Sequence, residues 1–178
     1  MKYCAFIKQV RVHNKSISNR EFCDLFERIK VREIIPVINT GNIIFSSEKP
    51  RNTLNIEINK LLSEHFRYNM NVFLKSDKEI QQMLDNLPFV EETGFYIYFL
   101  LCEEIGFENI LQDKFNSVVH TEKECGIAGN GVFYWKTSKD NIQKSQSFKM
   151  LNSKNLACKF TNRAVGTMRK VCNRMNLR

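Results

Sequence analysis

The chain has 178 residues, 43% hydrophobic and 26% charged, a size that suits one domain or two small lobes with a core that needs no metal or disulfide staples. Fourteen Phe with only seven Gly and three Pro exclude a disordered or collagenous protein, and a mean hydropathy of −0.36 without any long charge-free apolar run excludes a membrane span. The net charge of +8 is unevenly spread: residues 1–76 carry a net +6, residues 77–124 a net −8 and residues 125–178 a net +10. Asp140 is the last carboxylate side chain in the sequence. A field so lopsided favours a polyanion or an acidic partner.

The first apolar run, residues 2–10, suits a buried strand. It meets Lys8 too soon for a secretory signal, so a cytoplasmic protein is expected. Ser18-Asn19-Arg20-Glu21 has the form of a capping box, and Phe22, Leu25, Phe26 and Ile29 follow at helical spacing. Residues 33–39 and 42–47 are β-rich, with Asn39-Thr40-Gly41-Asn42 between them as a tight hairpin in which Gly41 supplies a positive φ. Pro36 marks the first of these strands as an edge or as bulged. Leu54, Ile58, Leu61, Leu62 and Phe66 define a second helix, and residues 70–75 close the unit as a strand. The order is β-α-β-β-α-β, a ferredoxin-like lobe over residues 1–76.

A helical linker, with a short helix near 77–84, spans residues 77–94 and leads to a C-terminal α+β lobe over 95–178. There the pattern repeats: a strand at 95–102, an acidic helix at 103–113, strands at 117–120 and 127–135, a basic helix at 140–151, a strand at 156–161 and a final helix at 163–175. Asn130-Gly131 is the strongest short hairpin signal. The predicted fold is therefore α+β, two ferredoxin-like lobes with an extra C-terminal amphipathic helix.

In that last helix Val165, Met168, Val171, Cys172 and Met175 fall on one side, while Arg163, Lys170, Arg174 and Arg178 form a stripe on the other. The stripe suits phosphate contacts through charge-assisted hydrogen bonds, or is simply the solvated side of a docked helix. Lys136, Lys139, Lys144, Lys149, Lys154 and Lys159 could extend it. Thr161 or Asn162 is placed to cap the helix N-terminus, which attracts anions. Tyr96, Tyr98, Tyr134 and Trp135 could stack bases on an open sheet face, although filling the core comes first. The six cysteines lack any C-x-x-C pair and the three histidines stand apart, so no metal or other cofactor is expected. Buried thiols are expected at Cys4, Cys102 and Cys158, each within a predicted strand. No elbow, P-loop, dinucleotide or zinc-protease motif is present, which points away from an enzyme.

The run Val37-Ile38-Asn39-Thr40-Gly41-Asn42-Ile43-Ile44-Phe45 resembles the "Y-I-N/Q-S-G-N-V/I-x-F" hairpin of the bacterial family called domain of unknown function 1697. Asn14-Lys15, the helix 18–30 and Thr161-Asn162-Arg163 with Thr167-Met168-Arg169-Lys170 follow that family's order as well. The family's "R-G-I-N-V-G-G" loop is replaced here by Lys8-Gln9-Val10-Arg11-Val12-His13, without its glycines. The resemblance implies a two-lobed α+β protein of the cytoplasm and carries no reaction and no cofactor.

These readings converge on a non-enzymatic binding module whose basic C-terminal face takes nucleic acid or another polyanion, with no role for a membrane. Two alternatives stay open: a small-molecule site between the lobes near Lys8, Asn39, Asn42 and Arg163, and a protein-interaction module.

Overall fold

The computed structural model describes residues 1–8, 11–12, 15–38 and 41–177, and the chain divides into two compact units. Unit 1 comprises residues 1–81 together with the chain from Arg169 onward; unit 2 comprises Gln82–Met168. Among the described residues no helix is long and apolar enough to cross a membrane.

Unit 1 opens with β1 (Lys2–Ile7), followed by the two-residue strands β2 (Arg11–Val12) and β3 (Lys15–Ser16), which pair with each other. Helix α1 (Asn19–Arg28) starts where Ser18 Oγ accepts the Glu21 amide at 3.2 Å, the cap the sequence signalled. Strands β4 (Arg32–Pro36) and β5 (Asn42–Ser46), helix α2 (Arg51–Phe66), strand β6 (Val72–Ser76) and helix α3 (Asp77–Asp85) complete the run. The sheet has the order β4-β5-β1-β6 with every pair antiparallel, the ferredoxin-like order. Phe22, Leu25 and Phe26 of α1 and Leu54, Ile58 and Leu62 of α2 are buried in one core with Tyr3, Ala5, Ile43 and Phe45. Period-2 strands and period-3.6 helices thus meet on one side of the sheet. Strand β4 is an edge, as Pro36 predicts, and its ladder slips between Arg32 and Ile35, where Glu33 takes φ 54°. Gly41, at φ 69°, supplies the left-handed residue before β5.

Unit 2 repeats the order with β7 (Phe95–Cys102), α4 (Phe107–Asn116), β8 (Glu124–Gly129), β9 (Val132–Ser138), α5 (Gln146–Leu151), α6 (Lys154–Ala157) and β10 (Phe160–Ala164), in a second antiparallel sheet β10-β7-β9-β8. Asn130-Gly131 turns the β8–β9 hairpin, with Gly131 at φ 73°. Helix α7 (Val165–Asn176) then crosses from unit 2 into unit 1.

Several expectations for this half are corrected. Residues 117–120 are not a strand: the Ser117 and Val118 amides donate to carbonyls of the last turn of α4, and His120 stacks on Phe115 at 4.6 Å. The acidic helix starts at Phe107, after Gly106 at φ 99°. The basic helix is short because Ser145, whose Oγ accepts the Phe148 amide at 2.9 Å, starts it only at Gln146. The following strand runs later than predicted, 160–164, which leaves Cys158 exposed after α6 while Cys4 and Cys102 are buried.

Candidate functional site

Helix α7 contains no Asp or Glu. Met168, Val171, Cys172 and Met175 are buried, Val165 is half-buried, and Arg169, Lys170, Asn173 and Arg174 are exposed, so the helix is divided as its periodicity predicts. Within unit 1 its C-terminal end is held by Lys2, whose Nζ donates to the Met175 carbonyl at 2.9 Å and the Leu177 carbonyl at 3.4 Å. A cation at the carbonyl end of a helix satisfies groups left without intrahelical partners and complements the dipole.

Between this end of α7 and the sheet lies a groove of about 500 Å³ lined by Lys2, Glu33, Ile35, Ile44, Ser46, Arg174 and Leu177. A shallower hollow of about 330 Å³ shares Arg174 and Leu177 and extends to Lys170, Asn173 and Pro36, Val37 and Ile38. The register explains the composition. Lys2 pairs with Ser46, and Ile35 with Ile44, which puts them on the side of the sheet turned away from α1 and α2. Ser46 Oγ donates to a Glu33 carboxylate oxygen, and Glu33 reaches it from the slipped, left-handed position in β4. The floor is aliphatic, and Lys170 and Arg174 stand on successive turns of one helix at its rim.

The other predicted site residues fall elsewhere. Asn162 and Arg163 lie in β10, not at a helix start, because the strand continues to Ala164; neither Thr161 nor Asn162 caps α7. Arg163 Nη1 donates to Thr161 Oγ1 and to the Asn162 carbonyl, both at 2.8 Å. Arg163 therefore leaves the four-residue stripe, and Asn39 and Arg178 lie outside the described residues. Asn42 is fully buried and its Nδ2 donates to the Val37 carbonyl at 3.0 Å, locking the hairpin; the half-buried Lys8 donates its amide to the Asn71 carbonyl at 2.9 Å. The upstream lysines are dispersed too: Lys136 pairs with Glu92 at 2.7 Å and Lys159 with Glu103 at 3.2 Å. Lys2, Glu33, Ser46 and Leu177 carried no sequence signal of a site. Among the described residues no group of three or more His, Cys, Asp or Glu side chains is placed to hold a metal ion.

Two ferredoxin-like units and a cationic helix define an α+β protein of duplicated topology. The chain belongs to the family described as Protein of unknown function (DUF1697), whose model matches residues 1–134. Strands β4 and β5 of the groove lie inside that match and α7 lies beyond it. Among solved structures the chain is similar to a conserved bacterial protein from Streptococcus pneumoniae, at 19% identity and a TM-score of 0.82, over 99% of this chain and 98% of that one. A search of curated proteins found no match.

Proposed function

We propose that the protein is a non-enzymatic binding module whose α7 contacts nucleic acid or another polyanion. The observation that carries this reading is the pair Lys170 and Arg174, exposed one turn apart on a helix without a carboxylate, in a stretch of chain that holds no acid after Asp140. Guanidinium and ammonium groups repeated along a rigid helix meet successive phosphates at little entropic cost. A reducing compartment such as the cytoplasm suits six cysteines that form no disulfide and belongs to the same proposal. The test is retention of a labelled single-stranded 20-mer by the full chain at low salt. The wild type is expected to bind at micromolar protein and Lys170→Glu with Arg174→Glu to abolish binding; equal retention by both proteins contradicts the reading.

The groove favours a second reading, a small-molecule binder. Its mixture of Lys2, Arg174 and Glu33 over Ile35 and Ile44 suits a compact ligand with an anionic group and an apolar body. Native mass spectrometry of the freshly purified protein decides between them: a discrete added mass supports the small ligand, and nucleotide absorbance in the sample supports the polyanion.

A further inference from the structure

In the sheet of unit 2, with its order β10-β7-β9-β8, strand β8 has a neighbour on one side only. The hairpin closes on Gly129 and Val132, and the Ser138 amide donates to the Lys123 carbonyl at 3.0 Å. By alternation Cys125, Ile127 and Gly129 turn their backbone groups to β9, while those of Gly126 and Ala128 point outward. Gln112 of α4 fills that outward position. Its Oε1 accepts the Ala128 amide at 2.8 Å and its Nε2 donates to the Gly126 carbonyl at 3.1 Å. These two groups flank Ile127, and one residue of a parallel neighbouring strand would bind both through its own N–H and C=O. A single side-chain amide stands in for a strand. The other edges of the two four-stranded sheets carry guards of their own: β4 has Pro36 and a slipped register, β10 has Arg163, and β6 has the buried Lys75. In β8 the one charged residue, Glu124, opens the strand, buried and held by Asn141 Nδ2 at 2.7 Å. The stretch Cys125-Gly126-Ile127-Ala128-Gly129 after it has no charge, no Pro and no slip in its register.

We infer that Gln112 holds the β8 edge shut against a second copy of this chain, and that without its amide two copies pair through β8. The inference goes beyond the binding readings above and does not depend on them. The edge is self-complementary. In an antiparallel pairing about a two-fold axis at Ile127, Gly126 of each copy lies opposite Ala128 of the other. The Ala128 N–H then donates to the Gly126 carbonyl of the second copy, so the pairing uses the same two groups that Gln112 satisfies within one chain. Ile127, 38% exposed, meets Ile127 of the second copy, and Cys125 meets Gly129, so no charge faces a like charge. While Gln112 is in place its amide wins, because an intramolecular partner costs no translational or rotational freedom.

The experiment follows the full chain by sedimentation at rising concentration and by exchange of the Ala128 amide. In wild type that amide should be protected at every concentration. Gln112→Ala should give a species of twice the wild-type mass that grows with concentration. Its Ala128 amide should exchange about two- to tenfold faster when dilute and regain protection as the paired species fills. Gln112→Met, which keeps the length of the side chain but makes neither bond, should do the same and covers the case of an alanine variant that does not fold. Ala128→Pro added to Gln112→Ala takes the outward donor from the edge and leaves the ladder to β9 intact, and should restore the wild-type mass. Wild-type sedimentation by both Gln112 variants, association that survives Ala128→Pro, or an unprotected Ala128 amide in wild type overturns the inference.

Discussion

Glu79 shows how a single side chain ties the elements of unit 1 together. Its carboxylate takes both arms of the Arg51 guanidinium, Nη1 at 2.9 Å, and also accepts the amide and hydroxyl of Ser76 at 2.8 Å each. Burial alone would push this carboxyl up, but the Arg51 fork and the two Ser76 donors outweigh it and hold it below the ordinary Glu range. Its folded pKa lies below its unfolded one, so the stability it adds is fully present above about pH 4.3 and is lost as pH falls through the folded value. Both side chains are partly exposed, and solvent screens the pair. Thermal melts of wild type and Glu79→Gln between about pH 7 and pH 3 should show the wild type's advantage shrinking as pH falls; a constant gap contradicts this role. At Gly41 the backbone is at φ 69°, a region that a β-branched side chain resists. Gly41→Val should cost more than about 1 kcal/mol in a denaturant titration, and an equally stable variant would argue against the turn. Met168 is fully buried on α7, and Met168→Asp should cost about 3 kcal/mol, read in the same way.

The packing of α4 on β8 turns on an absent side chain. A Cβ on Gly126 would come within 2.4 Å of Phe133 Cζ and 3.0 Å of Phe115 Cγ. Phe133 is fully buried and Phe115 nearly so, so neither ring can swing clear. Gly126→Ala should therefore destabilise unit 2 by about 1–3 kcal/mol, followed by loss of the near-ultraviolet signal of Trp135. Wild-type stability in that variant would mean that α4 does not seat against β8 as described. The elements that sequence reading located well are those with strong periodicity or a specific punctuating residue: α1 with its Ser18 cap, α2 with Leu54, Ile58 and Leu62, and both hairpins with their left-handed glycines. It misplaced elements where tertiary context overrode local preference. Val118 and Val119 are β-prone, yet the Val118 amide is taken by the end of α4 and Val119 is left 77% exposed. The chain after β9 reads as one basic helix, but turns through Ser145 delay it and shift β10 by four residues, which carries Thr161 and Asn162 out of a cap and into a strand.

At the scale of the whole molecule the duplicated topology was legible, because each half sets strand and helix periods in the same order. The site was legible only in part. Lys170 and Arg174 follow from helical spacing along α7. Lys2, Glu33, Ser46 and Leu177 join them only through sheet register, a slipped edge strand and the docking of the chain's end, none of which leaves a mark in local sequence. If the cations of α7 meet phosphates as proposed, binding must weaken with salt in proportion to the contacts made. Each neutralised phosphate of a single strand releases counterion and adds roughly −0.7 to the slope of log K against log salt. Anisotropy titrations of a labelled single-stranded 20-mer over a range of salt should give a steep negative slope for wild type. Lys170→Ala and Arg174→Ala should each make it shallower by about 0.7 without changing the fold. Slopes identical in all three proteins, or no binding by wild type at low salt and micromolar concentration, would contradict the proposal.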